Sequence, residues 1–249
     1  SVRIYDSAHR LTTNQEQEII ADIVSRSYRA DGLEEISERV RYACQVHGFF
    51  KAAVDASMVT SSQGKPQDKT IDVAVHVDAG EQYRINELLF TGAKVFPANE
   101  LRSLFELRDG ETYNAESIRK GLEELRKLYA KDGYINFVPV PNAVVDDQTL
   151  TISLTIELDE GKQFRVGKLI VNGDEAPEPP CKARLLNEWK RYEGQVYDPE
   201  ILAKFLKNNS ARDVTPERNS EIVTDASTAI VDVALEIRVD ADCGANGRQ

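Results

Sequence analysis

The sequence predicts an α+β chain of three tandem β-α-α-β-β units, each a three-stranded mixed sheet covered on one face by two helices, in an elongated arrangement. Three observations predict it. The stretch GEQYRINELLFTG (Gly80–Gly92) returns without a gap as GKQFRVGKLIVNG (Gly161–Gly173), and a long motif repeated at that distance means repeated domains. Three segments alternate strictly between apolar and polar residues, TIDVAVHVD (Thr70–Asp78), TLTISLTIELD (Thr149–Asp159) and IVDVALEIRVD (Ile230–Asp240), the period of a half-buried strand. Between them, helical segments align without gaps from Tyr28/Tyr113 to Phe50/Ile135. The boundaries that follow are 1–79, 80–160 and 161–243, with a polar tail at 244–249.

Each unit opens with a strand. In the second the apolar positions are Tyr83, Ile85, Leu88 and Phe90, and in the third Phe164, Val166, Leu169 and Val171. Parity slips at the same place in both, which predicts a shared bulge. The first helix of the first unit is read from Thr13, with Glu16 closing a capping box and Ile19, Ile20, Ile23 and Val24 forming its buried stripe. Asp31 with Glu34 reads as a second capping box. In the second helices, Leu33, Val40 and Ala43 correspond to Ile118, Leu125 and Leu128 on the inner face. Gly48 and Gly133 stop those helices, where a left-handed residue is wanted, and Phe49 and Tyr134 fold back onto the core. In the third unit Asp198-Pro199-Glu200 supplies a cap, a first-turn proline and an acid against the dipole. No Gly-aromatic step follows there, so that helix is expected to be shorter. The middle strands are KAAVDASMV (Lys51–Val59), INFVPVPNAVV (Ile135–Val145) and SEIVTDA (Ser220–Ala226).

Composition sets outer bounds. The 249 residues are 41% hydrophobic and 29% charged, with a formal net charge of −11. That balance suits a folded chain and disfavours nucleic acid or anionic lipid as a general partner. No apolar run reaches the roughly 18 residues that span a bilayer. No signal peptide is visible, as expected of a processed protein or a fragment. His9, His47 and His76 lie far apart and carry no metal-ligand spacing. No catalytic residue, metal site or cofactor is expected: there is no G-x-S-x-G, phosphate loop, H-E-x-x-H or dinucleotide glycine pattern, and Asp146-Asp147 fits a hairpin turn.

The order of elements, the openings EQYRINELLFTG and KQFRVGKLIVNG, the helix starts GETYNAESI and GQVYDPEIL, and DGYINFVPV together resemble the polypeptide-transport-associated (POTRA) domain, most closely in the second unit. The resemblance implies a non-enzymatic scaffold at the periplasmic face of a Gram-negative outer membrane. Its partners would be unfolded or extended polypeptide clients and accessory envelope proteins, with an outer-membrane barrel either following in the chain or separate. The tail DADCGANGRQ reads as an end rather than the lead into a barrel strand. A stand-alone secreted or periplasmic repeat module, with a role in envelope organisation, is the alternative.

In the resembled family the middle strand is a sheet edge that accepts a peptide by strand addition. The residues rank the three edges. Pro139 and Pro141 lie two apart, so both missing N–H groups face one side, which must be the unpaired side; an incoming strand loses two donors there, and this edge is a poor acceptor. The first unit's strand carries no proline and has small side chains. The partner-binding residues are therefore placed at Ala52, Ala53, Val54, Asp55, Ala56, Ser57 and Met58. Gly80 and Gly161 join closing strand to opening strand and are read as tight turns or hinges. Cys181 follows the third opening strand and Cys243 the third closing strand, making them the candidates for a disulfide in an oxidising compartment. Cys44 reads as a buried structural residue.

Overall fold

The computed structural model describes residues 2–6, 8–25, 32–59, 72–172, 180–208 and 220–236. Strands β1 (Val2–Asp6), β2 (Ala53–Val59) and β3 (Asp72–Asp78) form one sheet, β4 (Arg84–Thr91), β5 (Val138–Asp146) and β6 (Thr151–Asp159) a second, and β7 (Arg165–Asn172), β8 (Ser220–Asp225) and β9 (Ile230–Glu236) a third. The strand orders are β1-β3-β2, β4-β6-β5 and β7-β9-β8. In each the alternating closing strand is central, because its inward row is fully apolar. The opening strand lies parallel to it in all three sheets, and the middle strand lies on its other side, antiparallel in the first and third. The bulge is where parity slips, between Ile85 and Glu87 and between Val166 and Leu169.

Two helices accompany each sheet: α1 (Thr13–Val24) and α2 (Leu33–Val46), α3 (Ala98–Ser103) and α4 (Ala115–Lys131), α5 (Pro180–Trp189) and α6 (Pro199–Asn208). The α6 helix has 10 residues against 14 in α2 and 17 in α4. The Glu200 N–H donates to Asp198 Oδ1 at 2.9 Å, the expected cap. By contact the residues gather into two compact units, 1–91 with 96–122 and 141–157, and 92–95 with 123–140 and 158–249. Within the first, Ile19, Ile23, Ile36, Val40, Cys44, Phe49, Val75 and Val77 form a core. Within the second, Phe164, Trp189, Phe205, Val231, Val233 and Leu235 form another.

Several details depart from the sequence reading. The cap of α1 is Thr12, one residue earlier than expected. Thr12 has extended backbone, its side chain accepts from the Gln15 N–H, and the Gln15 side chain accepts in return; Gln15 thus serves where Glu16 was expected. Val24 is exposed at the last turn of α1 rather than on its buried stripe. Strand β2 begins at Ala53: the Ala52 N–H closes a turn onto the Phe49 carbonyl, and Ala52 is buried as part of the core. Leu150, expected inside a strand, sits at φ 54°, and Ala229 repeats this at φ 55°. Both carbonyls accept the N–H of the first residue of the opening strand, Arg84 and Arg165, at 3.0 Å. The left-handed residue turns each hairpin back in time for that bond. The cap of α2 is Gly32, with no side-chain cap bond, so the expected Asp31–Glu34 box does not start this helix; Asp31 itself lies outside the described residues, as does Cys243, and a Cys181–Cys243 bridge therefore falls outside them too. Cys44 is a free thiol, and burial pushes it up to about 11, with Asp6 adding to the shift.

Candidate client edge and repeat joints

Strand β2 lies at the rim of its sheet, paired with β3 on one side only. Ala56 sits opposite Val75, and its N–H donates to Ser37 Oγ of α2 at 3.0 Å. That N–H therefore faces away from β3. In an antiparallel ladder the outward groups recur every second residue, so Val54 and Met58 also turn N–H and C=O to the rim. Their side chains lie on the helix-covered face. Val54 and Ala56 are half-buried against the core, and Met58 is exposed. Ala53 and Asp55 are exposed and Ser57 is half-buried, all three on the opposite face. The candidate residues thus separate into a rim-facing set (Val54, Ala56, Met58), an open-face set (Ala53, Asp55, Ser57) and one core residue, Ala52.

Strand β5 is also at a sheet edge, where proline is tolerated. It exposes Val138, Val140 and Val144. Strand β8 is a third, proline-free edge, with Ile222 and Val223 exposed. The ranking of the three edges named particular residues only in the strands of the first two repeats.

The repeated motif has a second use that sequence reasoning missed. The Tyr83 N–H donates to the Gly48 carbonyl at 2.9 Å, and Gln82 Nε2 to the His47 carbonyl at 2.8 Å. In the next repeat the Phe164 N–H donates to the Gly133 carbonyl at 2.9 Å, and Gln163 Nε2 to the Asp132 carbonyl at 3.0 Å. The Gln-aromatic pair of each opening motif therefore docks on the C-terminus of the preceding second helix, whose last carbonyls need partners. Gly48 and Gly133 have φ 92° and 83°. A Cβ on Gly48 would lie 2.5 Å from Thr112 Cγ2, and one on Gly133 2.8 Å from the Phe164 carbonyl oxygen. Glycine is required twice over, for the turn and for the approach. Gly80 and Gly161 take φ 69° and 65°, each N–H capped by the aspartate two residues earlier.

Among the described residues, the first joint carries polar contacts that the second does not repeat. Lys51 Nζ meets both Asp147 oxygens at 2.6 and 2.7 Å, and the Tyr83 hydroxyl donates to Asp147 at 2.6 Å. Hydrogen bonds from Lys51 and then Tyr83 hold the Asp147 carboxyl below its usual range. The Tyr42 hydroxyl donates to Glu116 at 2.5 Å, and Arg119 grips the same carboxylate. Arg119, with Tyr42 second, brings Glu116 down to about 2. At the second joint the aligned positions of the first cluster are Asn136, Ala226 and Phe164, which have no charge or hydroxyl to offer. The residues of each cluster are too scattered in sequence to leave a signal.

Acids also fix the loop after the opening strand. Asp6 accepts the N–H groups of Ala8 and Leu11 at 3.1 and 2.8 Å. Glu160, only 9% exposed, uses one oxygen for the N–H groups of Lys94 (2.9 Å) and Val95 (3.0 Å) and the Tyr129 hydroxyl (2.8 Å). Burial pushes its carboxyl up, but those donors outweigh burial and hold it below the usual range.

The family model of the POTRA domain, described as a surface antigen variable number repeat, matches residues 83–161. The crystal structure of Haemophilus influenzae BamA POTRA3-5 superposes with a TM-score of 0.67 at 17% identity, covering 95% of this chain and 94% of that one. The fold is that of tandem POTRA domains. BamA from Haemophilus ducreyi lacking POTRA domains 1-3 gives a TM-score of 0.51 at 16% identity, over 66% of this chain and 29% of that one. In sequence, the outer membrane protein assembly factor BamA of Buchnera aphidicola is 23% identical over 157 residues, 63% of this chain. That of Neisseria meningitidis is 22% identical over 194 residues, 72% of this chain. The chain spans 24% of the length of each of these two relatives. Among the described residues no helix is long and apolar enough to cross a membrane.

Proposed function

We propose that this chain is a periplasmic scaffold for outer-membrane protein assembly, and that it takes extended polypeptide clients by strand addition at the β2 rim. The observation that carries the reading is that rim: an edge strand free of proline, with outward backbone groups at Val54, Ala56 and Met58. Main-chain pairing supplies sequence-tolerant affinity, as a scaffold with many clients requires, and alternate side chains supply what selectivity there is. The likeness to BamA supports the assembly role and the periplasmic location. The repeat boundaries 1–79, 80–160 and 161–243 belong to this reading, as does a hinge role for Gly80 and Gly161.

The test is site-specific photocrosslinking to an unfolded outer-membrane-type peptide, with the photoreactive residue at Met58 in β2 or at Val140 in β5. Both side chains are exposed, so access is matched. Capture several-fold stronger from position 58 supports the β2 edge; equal capture from the two positions removes it.

A further inference from the structure

We propose that Ser37 is a latch on the β2 edge, which a client strand must displace in order to pair. The inference rests on the reading of β2 as the client edge and concerns how that edge is kept closed.

Ser37 is an anomaly in its helix. The other buried residues of α2 are Ile36, Val40 and Cys44, and Ser37 is only 5% exposed among them. The gap-free alignment puts Leu122 at this position in α4, and counting from Tyr113 and Tyr197 puts Leu206 there in α6. An apolar residue thus fills the same place in the other two repeats. A buried hydroxyl is destabilising unless it is hydrogen-bonded. Among the described residues its one side-chain hydrogen bond is the N–H of Ala56, which faces out from the rim.

The aligned rim position of the second repeat gives the comparison its force. Ala56 lies eight residues after Gly48, and Pro141 eight after Gly133; Val54 likewise aligns with Pro139. The donor that Ser37 covers in the first repeat is therefore the donor that proline deletes in the second. A free edge N–H is a template for unwanted pairing, and the two repeats remove the same one by different chemistry. The difference matters for function. Proline is permanent, whereas a hydroxyl can let go. When a peptide carbonyl takes the Ala56 N–H, the Ser37 hydroxyl can turn to a carbonyl of its own helix, a fallback serine has within a helix. The edge is then closed to weak, casual partners and open to a strand that also engages Val54 and Met58.

The test uses the full chain and one extended, alternating peptide, with affinity measured by fluorescence anisotropy and the site fixed by crosslinking from Met58. Ser37→Ala is expected to bind about fivefold more tightly than wild type, the equivalent of about one hydrogen bond no longer given up. Ser37→Thr, which keeps the hydroxyl, is expected to bind like wild type. In the unliganded wild type, amide exchange at Ala56 should be several-fold slower than at Val54 and Met58, a readout that needs no variant. Capture at Met58 with unchanged or weaker affinity in Ser37→Ala overturns the latch and leaves the β2 edge standing. So does equal exchange at the three amides. Peptide binding with no capture at Met58 in any variant overturns the β2 edge, and the latch with it.

Discussion

Replacing Glu160 by alanine should destabilise the middle repeat severely. One carboxylate oxygen accepts three hydrogen bonds, from Lys94 N, Val95 N and the Tyr129 hydroxyl, at 2.8–3.0 Å. The Tyr129 ring is fully buried and stacks on Phe137 at 3.8 Å between centroids, so its hydroxyl cannot simply turn to water. Bonds to a charged acceptor contribute about 1.5–3 kcal/mol each, but shared bonds are not additive. The low end for three bonds is about 4.5 kcal/mol; because the Lys94 and Val95 amides can recruit some water, the expectation is about 3 kcal/mol for Glu160→Ala and about half that for Glu160→Gln. The single tryptophan, Trp189, belongs to the third repeat's core, so its fluorescence does not report this loss. Urea-dependent hydrogen exchange of peptides covering 92–131 does. A loss below about 1 kcal/mol in Glu160→Ala would refute the assignment of Glu160 as the anchor of this loop. The pH dependence has a fixed sign. The folded carboxyl lies below its unfolded value, so its contribution is complete above the unfolded value and is lost as pH falls through the folded one.

Three further outcomes are expected. Gly48→Ala should cost more than the ~1–2 kcal/mol of left-handed strain alone, because its Cβ meets Thr112 at 2.5 Å, whereas Gly80→Ala, with nothing within 4 Å, should show the strain alone; thermal melts compare them. Acid should loosen the first joint: the Glu116 contribution is complete above the ordinary glutamate value of 4.5 and is lost as pH falls toward about 2, so Glu116→Gln should flatten the dependence of denaturation midpoint on pH between those limits. Cys44, buried and with its thiol pushed up to about 11, should resist thiol reagents at pH 8 in the native chain and react on unfolding.

What the sequence made legible was whatever its local period determined. The bulges at Ile85 and Val166 showed as slips in parity, and the stops at Gly48 and Gly133 as glycines after amphipathic runs. The limits were of two kinds. Two adjacent threonines, Thr12 and Thr13, each stand three residues before a capping partner, and only the backbone angles decide between Gln15 and Glu16. Tertiary partners were beyond reach. The docking of Gln82 and Tyr83 on His47 and Gly48, the Lys51–Asp147–Tyr83 cluster and the Ser37–Ala56 bond all join residues with no shared periodicity. The prolines of β5 announced an edge because proline acts through its own backbone. Ser37 announced nothing, because a serine on an inner helix face gains its meaning from the strand beside it.

The most direct measurement is backbone amide exchange in the isotopically labelled chain, with and without an extended client peptide. The account predicts new protection at Val54, Ala56 and Met58, alternating with unchanged, already paired amides at Asp55 and Ser57. Protection confined to β8 or to the amides of β5 would contradict it, as would a peptide that binds while leaving every β2 amide as it was.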